Sequence, residues 1–211
     1  MTFEVSLEEG ELLVKLAREA IQTYLEERRA AISLPKDLPA ELKKPYGVFV
    51  TLNNALGGEH ELRGCIGFPE PAYPLGEATI RSAISAATED PRFPPVELSE
   101  LSDIVIEVTV LTPPQLIECP DPADYPSKVE VGKDGLIVER DWAKGLLLPQ
   151  VPVEWGWDAE ELLMQCCIKA GVSPDSWLLK GTRIYKFQGK VFSEESPKGP
   201  VREVVLAERK E

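Results

Sequence analysis

The chain has 211 residues, 43% of them hydrophobic, which is enough for one large domain or two small lobes with a sizeable core. Its 23 Lys and Arg against 36 Asp and Glu leave a net charge of −13, which disfavours sequence-independent binding to phosphate backbones, although a local basic pocket could still hold one anionic group. No apolar run approaches the ~20 residues of a bilayer span and the N-terminus lacks a basic-then-hydrophobic leader pattern, so nucleic acid and membrane are set aside as partners and a cytoplasmic protein is expected.

Ser6-x-x-Glu9 is a capping box ahead of a stripe at Leu12, Leu13, Leu16, Ala20, Tyr24 and Leu25, and predicts an amphipathic helix over residues 7–29. Its charged residues read as a solvated face. A proline-bearing loop over 33–45 leads to two β-favouring segments, 47–52 and 61–66, joined by Asn53-Asn54-Ala55-Leu56-Gly57-Gly58 as an antiparallel hairpin. His60, the only histidine, falls in the polar turn of that hairpin and reads as a solvated loop residue. A Cys-His or Ser-His-Asp mechanism would have to use it.

The second hairpin strand carries Leu62-Arg63-Gly64-Cys65-Ile66-Gly67. Alternation in an extended strand puts Arg63 and Cys65 on one face. A cation beside a thiol favours the thiolate, the usual way a cysteine becomes reactive. Gly64 and Gly67 lack a Cβ, so a ligand or a neighbouring backbone can approach there. A buried structural cysteine with packing glycines is the competing reading.

A proline-rich turn over 68–74 precedes a helix whose buried stripe is Ile80, Ala83, Ile84 and Ala87. Asp90-Pro91-Arg92-Phe93-Pro94-Pro95 ends it in a loop that three prolines make rigid, fixing Arg92 and Phe93 either for a ligand or for a turn-pinning Asp90 contact. Residues 104–111 read as a strand covered on both faces, stopped by Thr112-Pro113-Pro114. The Asp- and Pro-rich stretch near 120–128 is the expected inter-lobe connection. Segments 129–131 and 136–139 flank an expected Asp134-Gly135 hairpin turn, residues 145–148 form a further strand, and Asp158-x-x-Glu161 caps a helix closed by Gly171. Cys166 and Cys167 on that helix read as core. Residues 183–192 form a last strand, and the chain from Glu194 on is expected to fray.

Hairpin, proline-rich turn and helix thus occur over 47–88 and again over 129–170, a weak internal duplication that would set Cys65 and Gln150 near the ends of corresponding strands. The pattern predicts an α+β fold with mainly antiparallel sheets and packed helices. The four cysteines form no C-x-x-C pair, and with one histidine no transition-metal site and no cofactor are expected.

Residues 62–67, the Asp90 to Pro95 loop, and Leu146-Leu147-Leu148-Pro149-Gln150-Val151-Pro152-Val153-Glu154-Trp155-Gly156-Trp157 together resemble the AMMECR family, whose signature is LRGCIG. The resemblance spans nearly the whole chain as a single domain. It implies two α/β lobes meeting at a cleft and carries no established reaction. Relatives of that family occur beside Memo-like and radical-SAM proteins, which the resemblance suggests as partners in a modification pathway. Two classes of function stay open. In an enzyme component, Cys65 is a nucleophile or redox thiol, Arg63 or Arg92 holds an anionic group, and Glu154 or Asp90 supplies acid-base chemistry. In a binding or scaffold module, the cleft accepts a small molecule or a partner's peptide segment, with Arg and Trp as anchors. Either way Cys65, Arg92 and Gln150 are expected to line one pocket, with Arg63 or Glu154 at its edge.

Overall fold

The computed structural model describes residues 5–29, 34–56 and 61–204. His60 lies outside the described residues. The chain divides into two compact units, one holding residues up to Leu111 together with Lys190–Val204, the other Thr112–Gly189.

The first unit opens with α1 (Leu7–Glu27), whose predicted capping box is present: Glu9 N donates to Ser6 Oγ at 3.2 Å and Ser6 N to Glu9 Oε2 at 2.9 Å. The helix stops at Arg28, whose φ of 54° is left-handed. β1 (Gly47–Asn54) pairs antiparallel with β2 (Glu61–Phe68) on one side and β3 (Ile104–Leu111) on the other. β3 is buried along its whole length, as its nearly continuous β-branched run predicts. α2 (Leu75–Thr88) and α1 cover one face of this sheet, where Val48, Val50 and Leu52 of β1 meet Ile106, Val108 and Val110 of β3 in one core.

The sheet continues from β3 to the final part of β7 (Arg183–Glu194), which also pairs with β8 (Val201–Val204). β8 corrects the expected fraying after Glu194. Its stability comes from cross-strand pairing that a polar local sequence does not reveal. Glu194 is itself buried: Arg18 of α1 donates from Nε at 2.7 Å and from Nη2, and Ile106 N donates at 2.9 Å.

The second unit has the sheet order β4 (Gln115–Leu116), β7, β5 (Asp134–Arg140) and β6 (Ala143–Leu147), with β4–β7, β5–β7 and β5–β6 all antiparallel. α3 (Gln150–Trp155) and α4 (Ala159–Lys169) follow, and Leu162, Leu163 and Cys166 of α4 pack with Leu136, Val138 and Ile184 of the strands. The expected hairpin turn at Asp134-Gly135 is absent. Asp134 is a buried acceptor for Glu130 N, Lys186 Nζ and Gln188 Nε2, and a Cβ on Gly135 would strike the Phe187 ring at 2.4 Å, so both residues serve inside a strand. The turn is at Asp141-Trp142, where Asp141 adopts φ 54°.

The expected connection near 120–128 also moves. Pro122–Lys128 is a 3-10 helix within the second unit because Tyr125 is buried in that unit's core, and the chain crosses between units after Leu111 and after Gly189. The duplicated order of hairpin and helix recurs, as β1–β2–α2 and as β5–β6–α4, but Gln150 starts a helix and does not end a strand. Among the described residues no helix is long and apolar enough to cross a membrane. The fold is α+β with antiparallel sheets.

Candidate functional site

Cys65 stands in β2 directly opposite Thr51 of β1, and Thr51 stands opposite Glu107 of β3, so the three side chains form one row across three strands. Thr51 Oγ1 donates to Cys65 Sγ at 3.3 Å, and Glu107 is buried at the far end. This row is on the sheet face opposite the helices, because Leu52 and Val50, which alternate with Thr51, belong to the helix-covered core.

Simple alternation fails one residue earlier. The register steps from Leu52↔Gly64 to Asn53↔Leu62, leaving Arg63 as the extra residue of a β-bulge. A bulge re-aims a side chain, and here Arg63 reaches Glu100, with Nε to Oε1 at 2.9 Å and Nη2 to Oε2 at 3.1 Å, and donates from Nη1 to the Pro94 carbonyl at 2.9 Å. Arg63 is therefore bound to the proline-locked loop, and its cation is balanced by Glu100.

The cation beside Cys65 is Arg92. Asp90 is almost wholly buried and accepts Cys65 N at 2.8 Å, Arg92 N at 3.1 Å, Arg92 Nε at 3.0 Å and Arg92 Nη2 at 2.7 Å. One carboxylate thus fastens the loop to the Cys65 strand and holds the guanidinium in a bidentate grip. Arg92 Nη2 also comes within 3.4 Å of the Cys65 carbonyl, while Nη1 has no bond partner among the described residues and the side chain stays 53% exposed. The Phe93 ring lies 5.5 Å from the Arg92 guanidinium and 6.0 Å from that of Arg63, within cation–π reach of both.

These contacts set the electrostatics. The Arg92 guanidinium, with the Cys65 and Arg92 N–H groups, holds the Asp90 carboxyl far below the usual carboxylate range against the opposing pull of burial. Burial pushes the Cys65 thiol up; the Thr51 hydrogen bond and Arg92 resist this, and Glu107 and Asp90 add to it. Against the expected activation of the thiol, burial disfavours the Cys65 thiolate, and the Arg63 charge is taken by Glu100. Against the expected acid-base role, the Asp90 carboxylate is stabilised by four hydrogen bonds, which makes it a poor proton acceptor.

Neither motif glycine leaves space for a ligand. A Cβ on Gly64 would sit 2.2 Å from the Ala86 carbonyl of α2, and one on Gly67 would sit 2.2 Å from the Val48 carbonyl and 2.6 Å from the Phe49 ring. Both are packing glycines.

Cys65, Arg63, Asp90, Arg92 and Phe93 are brought together in the first unit, whereas Gln150 and Glu154 belong to α3 of the second. Gln150 Oε1 is buried with no hydrogen-bond partner among the described residues, and Glu154 is exposed. On the same helix end Trp155 is 70% exposed and stacks on Trp157 at 6.0 Å between centroids. Sequence reasoning missed Thr51, Glu107 and Glu100. The alternation of Phe49, Thr51 and Asn53 with buried aliphatics could have placed Thr51 on the Cys65 face; the partners on β3 and on the 3-10 helix Leu98–Ser102 needed the pairing register and the bulge.

The chain is similar to archaeal proteins along nearly its full length. It is 56% identical over 203 residues to protein PH0010 of Pyrococcus horikoshii, covering 96% of this chain and 98% of that protein, and 57% identical over 201 residues to protein PF1979 of Pyrococcus furiosus, covering 95% of each. A protein of Methanothermobacter thermautotrophicus is 56% identical over 191 residues, covering 90% and 97%. The crystal structure of the uncharacterized protein PH0010 superposes with a TM-score of 0.82 over 94% of this chain and 97% of that one. The AMMECR1 family model matches residues 14–192, and the chain belongs to the AMMECR1 family.

Proposed function

We propose that this protein is an accessory component of a modification pathway shared with Memo-like and radical-SAM proteins, and that its contribution is to hold a small molecule or peptide segment at Arg92, Phe93 and Cys65. The pathway partners rest on the family resemblance. The observation that carries the binding role is the state of Arg92: Asp90 fixes it by two hydrogen bonds, Phe93 lies beside it, and its Nη1 donors have no partner among the described residues. A guanidinium whose orientation is already fixed loses little entropy when it meets a carboxylate or phosphate oxygen. Cys65 adds a neutral thiol to the wall of the site and does not act as a base-activated nucleophile, because burial disfavours its thiolate and Asp90 is fully committed to Arg92 and to main-chain N–H groups.

The test is a thermal-shift and calorimetric titration of the full chain with inorganic phosphate and with small mono- and dicarboxylates, alongside Arg92→Ala, Arg92→Lys and Cys65→Ser. Saturable stabilisation that disappears in Arg92→Ala, weakens in Arg92→Lys and survives in Cys65→Ser supports the role. Identical responses in wild type and Arg92→Ala refute it.

A further inference from the structure

A second feature lies wholly in the second unit and is independent of the Arg92 reading. An open groove of about 690 Å³ runs beside β4, bordered by Leu116, Ile117, Lys128, Glu130 and Lys186. β4 is the edge of its sheet: β7 pairs with β5 through Arg183 to Gln188 and with β4 through Tyr185 and Lys186, so β4 occupies the other side of β7.

The register decides which main-chain groups of this edge are free. Ile117 N donates to Ile184 O at 2.8 Å, which makes Ile117 and Ile184 a hydrogen-bonded pair. Antiparallel ladders alternate hydrogen-bonded and non-hydrogen-bonded pairs, so Leu116↔Tyr185 is of the second kind and the Leu116 N–H and C=O point away from β7. No hydrogen bond among the described residues uses them, and the Leu116 side chain is 50% exposed. This is a free edge facing a groove, the arrangement that accepts an added strand.

The groove also carries fixed cations. Lys186 Nζ is held by the Lys128 carbonyl at 3.0 Å and by the buried Asp134 at 3.2 Å. Lys128 Nζ donates to the Glu118 carbonyl at 2.7 Å and has no carboxylate partner among the described residues, leaving N–H donors for a ligand. Two carboxylates line the same groove: Glu130 is taken up by Lys133 at 2.5 Å, and Glu118 lies exposed. Lys128 is the cation these contacts leave uncompensated.

We propose that the groove is a docking site for an extended segment of a partner protein, which adds as a strand to β4 through the Leu116 main chain and sets an acidic side chain against Lys128. Main-chain hydrogen bonds supply affinity in this mode, and the Lys128 contact supplies selectivity and orientation. The two-residue length of β4 limits unspecific edge pairing, so a segment that also satisfies Lys128 is favoured over an arbitrary strand.

The test begins with selection of a phage-displayed random 12-residue library on the immobilised full chain, followed by fluorescence-polarisation titration of the enriched peptide. Leu116→Pro removes the outward N–H while leaving the Ile117 bond to β7, and Lys128→Glu reverses the cation. Enriched peptides should carry Asp or Glu within a β-branched or aromatic run. Affinity should fall at least about ten-fold in Leu116→Pro, and in Lys128→Glu it should fall and be recovered when the peptide's acid is changed to Lys. N-methylation of alternate peptide residues tests the main-chain contact with the protein unaltered, and should abolish binding in one phase only. The proposal is overturned by failure to enrich any peptide above the empty support, by peptides indifferent to Leu116→Pro and to N-methylation, or by binding that depends on Lys128 alone, which marks a simple anion contact.

Discussion

Replacing Gly64 by Ala tests whether the family signature is a packing device. The added Cβ would lie 2.2 Å from the Ala86 carbonyl, where ordinary contact begins at 3.4 Å, so β2 and α2 would have to part by about 1.2 Å. The obstacle is main chain on both sides, which cannot rotate away as a side chain can. Overpacking costs about 1–3 kcal/mol, and Ala recovers up to about 1 kcal/mol of the backbone entropy that Gly loses in a strand. A net loss of about 2 kcal/mol is expected, near the upper part of that range, because α2 is also fixed against α1. For a chain of this size that lowers Tm by about 4–8 °C. Urea and thermal unfolding followed by circular dichroism measure it, with equal m-values for wild type and variant showing that stability alone has changed. A Gly64→Ala protein whose Tm stays within about 1 °C of wild type would refute the packing account and reopen the glycine as space for a ligand.

Glu194→Ala leaves the buried Arg18 without a counter-ion, held only by the Leu101 and Ile104 carbonyls, and should cost about 3–5 kcal/mol in urea unfolding, while Arg18→Met with Glu194→Leu should recover most of that loss; equal losses in the single and double variants would contradict the pairing. Iodoacetamide labelling of Cys65 should be slow at pH 7 and accelerate only at pH above the range where an ordinary thiol titrates, later still in Arg92→Ala, whereas Cys166, its thiol pushed up to about 12 by burial, stays protected in the native protein. Faster Cys65 labelling in Arg92→Ala would show that Arg92 acts by blocking access and not by charge. Because the folded-state Asp90 carboxyl is depressed, its stabilisation is complete above the ordinary aspartate value of about 3.9 and is lost as pH falls toward the lower folded value. Wild type should therefore lose more stability than Asp90→Asn between about pH 4 and pH 2, and parallel acid-unfolding curves would count against the Asp90–Arg92 clamp.

Much of the architecture was legible locally. The Ser6 and Asp158 capping boxes, the apolar stripes of α1 and α2, and the nearly continuous β-branched run of β3 each report on contacts within a few residues of themselves, and period and capping chemistry are properties of the local chain. The motif residues 62–67 and 90–95 also marked the right places, since glycine and proline constrain the backbone wherever they stand. What those residues do could not be read in the same way. Arg63 leaves the Cys65 face because the β1–β2 register slips by one residue at a bulge, and a register belongs to two strands at once. The Cys65 thiolate is disfavoured because elements distant in the chain, β1, β3 and the loop after α2, bury it, and Glu107 and Asp90 add to this against the Thr51 hydrogen bond and the Arg92 cation. Asp134-Gly135 has the sequence of a turn, yet Lys186, Gln188 and Phe187 of β7, some fifty residues away in the chain, make it the start of a strand. Local propensity is worth tenths of a kcal/mol to about one, whereas a buried carboxylate without its partners costs several, so the partners decide. The amino-acid order by itself determined the elements and the residues worth watching; protonation, free edges and open donors were decided only when distant strands supplied each residue with its neighbours.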